Sequence, residues 1–319
     1  MKKNMNNNHF EILRPGINST FQDSGRNNFY HIGIPFSGAM DNRNFLLANT
    51  ISNNEINNPV LEFAYQGPKL KYLGDDIVFN ITGDVNFKII RKNKTLNLNC
   101  YENIVLENND CLDIISTNRS VYGYLSIGGK FKVDYYLNSC STNTKAKIGA
   151  NSGNKLEKGQ IIQLENIKKT LPKNKIEYLN SKIENIRIIK GPHFDYFSKD
   201  AKDLFFNNEF NVTKLSDRMG TRLKGPKISN IKNTNIKSEG LVKGVIQITS
   251  DGDPIIMLSD HGTIGGYPKI GVVISADYDK LVQIPPGSKI KFKEINLKDA
   301  ETTFKLYEME TQNLISNIK

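Results

Sequence analysis

Short runs of β-branched and aromatic residues recur along almost the whole chain, and this pattern most limits what the chain can fold into. Examples are DDIVFNITG, YENIVL, CLDIIS, VYGYLSIGG, GVIQITSDGDPIIML and KIKFKEI. Gly, Asp and Asn interrupt these runs at the intervals that are typical of β-sandwiches and β-barrels. The sequence therefore predicts an all-β protein.

Only a few segments have the apolar spacing of a helix. Asp41 precedes NRNFLLANTIS, in which Phe45, Ala48 and Ile51 share one face. Near the end of the chain, Asn296 and Asp299 have the spacing of a capping box. The C-terminal helix that they would begin repeats apolar residues every three or four positions, as a docking face does: Leu297, Ala300, Phe304 and Tyr307.

The length of 319 residues favours two domains over one. Residues 165–182 lose strand character and gather Lys, Asn and Pro, as interdomain segments do. We therefore expect an N-terminal domain over residues 9–180 and a C-terminal domain, ending in the helix, over residues 181–319.

The formal net charge of +10 suggests a nucleic-acid ligand, but the basic residues are scattered and no nucleic-acid-binding motif accompanies them. No stretch is apolar enough for a membrane helix, and the first residues, MKKNMNNNHF, lack the apolar core of a signal peptide. The prediction is a cytoplasmic protein that binds neither nucleic acid nor membrane.

The 35 Lys greatly outnumber the 8 Arg, so each Arg is a candidate for a place where a planar guanidinium is needed, and a chance surface position is the alternative. Arg26 follows Gln22 and Asp23, and Asp23 could orient it toward a carboxylate or phosphate. A buried structural Asp–Arg pair is the alternative. Arg218 and Arg222 lie together in SDRMGTRLKGP.

Two glycine-containing turns could bring backbone N–H groups to a ligand. The first runs through Gly38 and Ala39 to Asp41, which could instead serve only as the helix cap. The second, in DHGTIGGYP, contains Gly265, Gly266 and Tyr267, preceded by His261 as a candidate general base. The alternative for His261 is a structural role.

The sequence contains no phosphate-binding loop of the G-x-x-x-x-G-K-[ST] type and no metal-ligand spacing among its four His. Another chain must therefore supply the nucleotide site of any ATP-driven reaction.

Taken together, ordered motifs between residues 14 and 292 resemble the family called biotin-dependent carboxyltransferase or allophanate hydrolase subunit 2. The motifs include PGINSTFQDSGR, HIGIPFSGAMD, LEFAYQGPKL, IKGPHFDYF, SDRMGTRLKGP, SDHGTIGGYPKIGVVISAD and LVQIPPGSKIKF. The resemblance implies two cyclophilin-like β-barrel domains. It also implies a partner of the allophanate hydrolase subunit 1 or KipI type.

In 5-oxoprolinase-like members of this family, the complex opens the lactam of 5-oxoproline to glutamate at the expense of ATP. We therefore expect a hydrolase subunit in such a complex, and a LamB/YcsF-type subunit is a further candidate partner. One alternative is a KipA-like regulatory protein that antagonises a kinase inhibitor. The other is carboxyl transfer to a urea-like amide. The chain has no Met-Lys-Met biotinylation site, so no cofactor is expected on it and biotin would be on a separate carrier.

The resemblance assigns roles by motif position. Asp23 and Asp41 would position or deprotonate water, and Arg26, Arg218 and Arg222 would bind a carboxylate or acyl phosphate. The expected substrate-binding residues are Gln22, Gly38, Ala39, Gln247, His261, Gly265, Gly266 and Tyr267. Two departures from the family pattern leave the substrate open: Cys140 stands where Arg is expected, and His261 stands in a motif that commonly reads Q-T-T-G-G-Y-P.

Overall fold

The computed structural model describes residues 8–170, 172–178, 183, 185–229 and 235–318. The chain divides into two compact units. The described residues of the first unit fall within Met1–Gly25, Asn42–Asn180 and Gln312–Lys319, and those of the second within Arg26–Asp41 and Ser181–Thr311. The predicted boundary at residues 180 and 181 lies outside the described residues. Residues 26–41, expected in the N-terminal domain, belong to the second unit, and the end of the chain belongs to the first.

The strands of the first unit form two sheets. They are β1 (His9–Arg14), β2 (Thr20–Gln22), β3 (Val60–Ala64), β4 (Lys69–Leu73), β5 (Ile77–Thr82), β6 (Val85–Arg91), β7 (Lys94–Asn97), β8 (Ile104–Leu106), β9 (Cys111–Thr117), β10 (Tyr122–Ile127), β11 (Lys130–Phe131) and β12 (Ile161–Glu165). One sheet has the order β11-β12-β1-β4-β9-β6-β7, and the other has the order β2-β3-β10-β5-β8.

The described residues contain four α-helices: α1 (Asn42–Ile51), α2 (Lys199–Asn207), α3 (Ser275–Val282) and α4 (Leu297–Ser316). Helix α1 lies on β5 and β10, strands that are buried along their whole length. The polar side chains of these strands find partners in the helix, since Asn80 Nδ2 donates to the Ala48 carbonyl at 2.9 Å and Thr82 Oγ1 to that of Asn44 at 2.8 Å. Such pairing removes the cost of burying them.

The second unit is a closed barrel of seven strands. Its strands are β13 (Asn185–Lys190), β14 (Phe210–Val212), β15 (Gly220–Lys224), β17 (Val245–Ile248), β18 (Pro254–Met257), β20 (Lys269–Val273) and β21 (Lys289–Glu294), in the order β13-β20-β17-β18-β15-β14-β21. Parallel pairing of β13 with β21 closes the ring and leaves the barrel without an edge. A separate two-stranded sheet joins β16 (Glu239–Gly240) and β19 (Ile264–Gly265). The predicted all-β fold is confirmed.

Aromatic residues fill one end of the barrel core. Phe205 of α2 stacks on Phe292 of β21 with ring centroids 4.4 Å apart, and Phe210 of β14 packs on both rings. Rings packed in this way bury large apolar areas and fix how α2 docks.

Helix α4 begins with the predicted capping box. The Asn296 side chain accepts from the Asp299 N–H at 2.9 Å and donates to the Asp299 carboxylate. Ala300 and Tyr307 pack against the core of the second unit, as the spacing predicts. Leu297 does not, since 60% of it is exposed. As the first residue of the helix, it lies beyond the surface that the later turns cover. No described helix is both long and apolar enough to span a membrane.

Candidate functional site

Residues 26–41 join the second unit through hydrogen bonds to the barrel and its loops. The Ser37 N–H donates to the Ser259 carbonyl at 3.0 Å, and the Tyr30 hydroxyl donates to the Leu241 carbonyl. Within the segment, the Arg26 N–H donates to the Phe36 carbonyl at 2.7 Å, and the Arg26 side chain is almost fully buried. The segment therefore carries Arg26, Gly38, Ala39 and Asp41 into the unit that contains the predicted C-terminal site residues.

Arg218 fixes the Gly38 turn. Its guanidinium donates to both carboxylate oxygens of Asp260, at 2.8 and 3.1 Å, and Nη2 also donates to the Gly38 carbonyl at 2.7 Å. Arg218 and Asp260 are both buried. A planar fork can hold a carboxylate and a carbonyl at once, whereas a lysine ammonium cannot reproduce that geometry. Arg218 thus positions the turn at Gly38, whose φ of 86° suits glycine.

His261 follows Asp260 and is buried. Its Nδ1 lies 2.6 Å from the Gly262 carbonyl, which accepts only if Nδ1 carries the proton. This tautomer leaves a lone pair on Nε2. The ring meets Tyr30 edge-on, with centroids 6.0 Å apart. Burial lowers the pKa of His261 below its ordinary value, so the imidazole is neutral near pH 7 and able to accept a proton.

Lys243 is a further candidate residue of the second unit, and the sequence analysis did not predict it. Its ammonium lies 4.3 Å from the centroid of the buried Tyr278 ring, and the Tyr278 hydroxyl lies 3.3 Å from Ser259 Oγ. Although the residue as a whole is exposed, desolvation of its ammonium lowers the pKa of Lys243, and Asp279 opposes the shift. The positive charge of Lys243 also helps to lower the pKa of His261, after the larger effect of burial. Perturbed pairs of this kind are common at functional sites.

The Gly265–Gly266 turn lies against Gln247, and all three residues are among the predicted substrate-binding residues. A Cβ on Gly265 would come within 2.9 Å of Gln247 Nε2, so a larger residue there would displace the Gln247 side chain. Gln247 is buried, and its amide donates to the Tyr267 carbonyl at 3.1 Å. Leu241 connects this turn with the His261 region, because its N–H donates to Thr263 and its carbonyl accepts from Tyr30.

Two predicted catalytic residues of the second unit have different surroundings. Asp41 is buried, and its Oδ2 accepts from Gln283 Nε2 at 2.8 Å. Arg222 is exposed on β15, where the flanking Thr221 and Leu223 are buried. Arg218 and Arg222 lie close together in the sequence, but the structure buries the first and exposes the second.

Gln22 and Asp23 lie in the first unit and hold residues 139–142. Asp23 Oδ1 accepts from the hydroxyls of Ser139 and Ser141, each at 2.6 Å, and from the Gly25 N–H at 2.8 Å. Oδ2 accepts from the Cys140 N–H at 2.7 Å. The Gln22 amide donates to the Thr142 carbonyl at 3.0 Å. These contacts give both side chains an anchoring role in the first unit.

The first unit also has an open pocket of about 210 Å³, and no predicted site residue lines it. Its lining residues are Phe21, Lys132, Val133, Asp134, Asn151, Leu156, Gln160, Ile161 and Ile162. Among the described residues, no group of three or more His, Cys, Asp or Glu side chains is arranged to hold a metal ion.

Comparison with known families agrees with this architecture. The family model described as "Carboxyltransferase domain, subdomain A and B" matches residues 32–294. This match covers most of the chain, which therefore belongs to the carboxyltransferase-domain family.

Three known proteins show the extent of the similarity. The chain is 30% identical over 291 residues to a 5-oxoprolinase subunit of Haemophilus influenzae, and 29% identical over 296 residues to the corresponding subunit of Escherichia coli. Each alignment covers 91% of this chain and 92% of the relative. The crystal structure of the K. lactis urea amidolyase is similar with a TM-score of 0.88 and 27% identity over 98% of this chain, but the chain spans only 20% of that protein.

Proposed function

We propose that this chain is a subunit of an ATP-dependent 5-oxoprolinase complex, which opens the lactam of 5-oxoproline to glutamate. One observation carries the proposal: the two relatives that are named as 5-oxoprolinase subunits match over 92% of their own length. The urea amidolyase contains a similar region within a protein about five times as long. The similarity thus extends over nearly the full length of the 5-oxoprolinase subunits but over only one part of the urea amidolyase.

The residues around His261 suit the chemistry of lactam opening. Water adds to the lactam carbonyl carbon, the carbon–nitrogen bond breaks, and the nitrogen gains a proton to become the amine of glutamate. Neutral His261 is the candidate base, with Nε2 accepting the proton of the attacking water. The Lys243 ammonium is the candidate donor that stabilises charge on the carbonyl oxygen or protonates the leaving nitrogen.

Arg218 acts in this proposal as a positioning residue, because its guanidinium donates to Asp260 and Gly38. Gly265, Gly266 and Gln247 would contribute N–H donors beside the base. The roles assigned to Asp23, Arg26, Asp41, Arg222, Ala39 and Tyr267 stay predictions.

Other chains would complete the enzyme. The sequence has no phosphate-binding loop, so an allophanate hydrolase subunit 1 or KipI-like partner, with a LamB/YcsF-type subunit, would supply the site for ATP. We expect the complex in the cytoplasm, with no cofactor resident on this chain.

The pH dependence of glutamate formation tests the base. Because burial holds the pKa of His261 below its ordinary value of about 6.5, activity of the reconstituted complex should persist as the pH falls to 6.5. It should decline only when the pH falls through the lower value and the imidazole gains a proton. His261→Gln should reduce kcat by about 10²–10⁴-fold at pH 7.5, the usual contribution of a general base.

His31→Gln is the matched control, because His31 is exposed in the same unit. It should leave both the rate and the pH profile unchanged. A His261→Gln complex with native kcat would refute the assignment of the base. A native complex that forms no glutamate from 5-oxoproline and ATP would refute the proposed function.

Carboxyl transfer to a urea-like amide is a second candidate, favoured by the description of the matched family and by the similarity to the urea amidolyase. In that reaction a carboxyl group moves from carboxybiotin on a separate carrier to the amide nitrogen. Product formation that requires a biotinylated carrier, and stops when avidin sequesters it, would identify this activity instead.

A further inference from the structure

Two buried nitrogen donors in the second unit converge on one half-exposed carboxylate. Lys269 Nζ lies 2.9 Å from Glu239 Oε2, and His193 Nε2 lies 3.6 Å from the same oxygen. The side chains of Lys269 and His193 are 4% and 8% exposed, whereas that of Glu239 is 49% exposed. The donors therefore form a recess, and the carboxylate enters it from the surface.

The recess is preorganised to donate to an anion. His193 Nδ1 accepts from the backbone N–H of Lys269 at 3.3 Å, which leaves the ring proton on Nε2, facing Glu239. Lys269 belongs to the barrel strand β20 and is paired in register with Gln247 of β17. Because both donors are fixed by the barrel or by contact with it, we expect the recess to persist when Glu239 leaves it.

Glu239, by contrast, lies on a weakly held segment that we call the strap, residues 235–241. Five of its seven residues are exposed: Asn235, Lys237, Ser238, Glu239 and Gly240. In the described part of the chain, its two-residue strand β16 pairs with β19 alone, outside the barrel. Its other hydrogen bonds include those from the N–H of Ile236 to Gly266, from the N–H of Leu241 to Thr263, and from the Tyr30 hydroxyl to the Leu241 carbonyl. Lifting the strap breaks no backbone hydrogen bond of the barrel ladder. A ligand must, however, replace the contacts of Glu239 with Lys269 and His193.

The strap also covers the glycine turn. An added Cβ on Gly266 would lie 3.2 Å from the Ile236 carbonyl, and one on Gly265 would lie 2.9 Å from Leu241 Cδ1. A ligand that displaces Glu239 would therefore gain access to Lys269, His193 and the Gly265–Gly266 turn together.

We propose that this recess is a binding site for a small carboxylate ligand, and that Glu239 occupies it in the free protein as an internal competitor. The Glu239 carboxylate has the same chemistry as the ligand that it excludes. One of its oxygens lies between the Lys269 ammonium and the His193 imidazole N–H. The identification of that ligand as 5-oxoproline, bound through its carboxylate, rests on the proposed function. The proposed competition with Glu239 does not depend on that function.

Titration calorimetry of the purified full-length chain with 5-oxoproline, and separately with acetate, tests the site. Glu239→Gln removes the competing charge and keeps the shape of the side chain. If the native recess is closed about nine-tenths of the time, the variant should bind about tenfold more tightly, since the apparent Kd scales inversely with the open fraction. In the Glu239→Gln background, Lys269→Gln should abolish binding without leaving an unpaired buried charge.

Glu209→Gln is the matched control, because Glu209 forms an ion pair of the same 2.9 Å length with Lys289 at an exposed place in the same unit. It should bind as the native chain does. Hydrogen exchange supplies an independent readout: either ligand should speed exchange at the amides of Ile236 and Leu241.

Unchanged affinity in Glu239→Gln, undiminished affinity in the double variant, or slower strap exchange with ligand would each overturn the proposal. Tight acetate and 5-oxoproline binding with no glutamate formation by the complex would instead support the recess and refute the proposed function.

Discussion

At the scale of single residues, the Arg218 guanidinium joins two parts of the second unit that are far apart in sequence. It binds Asp260 through two hydrogen bonds and the Gly38 carbonyl through a third, all in a buried place. The arrangement satisfies a buried charge and at the same time fixes a turn beside His261. A change at Arg218 should therefore alter both the stability of the second unit and the position of the Gly38 turn.

Arg218→Lys should lower the free energy of unfolding by about 2 kcal/mol, because a lysine keeps the charge but cannot make the forked contact with Asp260 and reach Gly38 as well. Urea unfolding monitored by circular dichroism measures the change. Arg222→Lys, at an exposed position nearby in the sequence, should change the free energy by less than about 0.5 kcal/mol. Equal effects of the two variants would show that the Arg218 fork contributes nothing special.

The rarity of arginine in a lysine-rich chain is an informative signal at this scale. It singles out Arg26 and Arg218, which are both buried, and the Arg218 side chain holds the Gly38 turn. The same signal cannot distinguish Arg222, whose exposure follows from strand alternation. Nor can it find Lys243, because one Lys among 35 does not stand out. The lowered pKa of Lys243 arises from desolvation of its ammonium, which only the fold creates.

At the scale of elements, the carboxylate of Asp23, directly after β2, holds the loop at residues 139–142. Asp23 accepts the Ser139 and Ser141 hydroxyls and the Cys140 N–H, so it organises a segment that has little regular structure of its own. Cys140 is completely buried as a result.

Asp23→Asn should destabilise this loop by about 2 kcal/mol, because one amide position becomes a donor that faces other donors. We expect faster labelling of Cys140 by a thiol reagent, measured by mass spectrometry of the labelled peptide. Asp134→Asn is the control, since Asp134 is exposed in the same unit. Native labelling kinetics in Asp23→Asn would contradict the anchoring role.

Elements with a strong local signal could be predicted from the sequence, and those defined by tertiary contacts could not. The strands and the capping box of α4 have local signals, and the structure contains them. Helices α2 and α3 escaped the prediction because they are only nine and eight residues long and dock on a barrel. The N-cap of α2, the Ser198 side chain accepting from the Ala201 N–H, is a local signal that could have indicated it.

At the scale of the whole molecule, neither unit is made of one continuous stretch of sequence. Residues 26–41 lie between two parts of the first unit in the sequence but belong to the second. The predicted domains, 9–180 and 181–319, follow composition, which reports a change from strands to polar linker. Composition contains no information about which unit a loop of sixteen residues joins.

A fragment of residues 185–318 should therefore be incomplete, because it lacks the Gly38 carbonyl that accepts from Arg218 and the Asp41 carboxylate that accepts from Gln283. A synthetic peptide of residues 26–41 should raise the thermal midpoint of the fragment in a concentration-dependent way. At a peptide concentration of about a hundredfold over its Kd, the free energy of unfolding should rise by about 2.7 kcal/mol. A scrambled peptide of the same composition should have no effect. A fragment that is equally stable with and without the peptide would contradict this assignment.

The same arrangement imposes a delay during protein synthesis. The carbonyl of Gly38 is made 180 residues before the guanidinium that binds it, and Asp41 is made 242 residues before Gln283. At translation rates of roughly 5–20 residues per second, the turn is exposed on the ribosome for about ten to forty seconds before Arg218 is added. The barrel therefore cannot make its full set of contacts as its strands emerge unless this early stretch is still accessible.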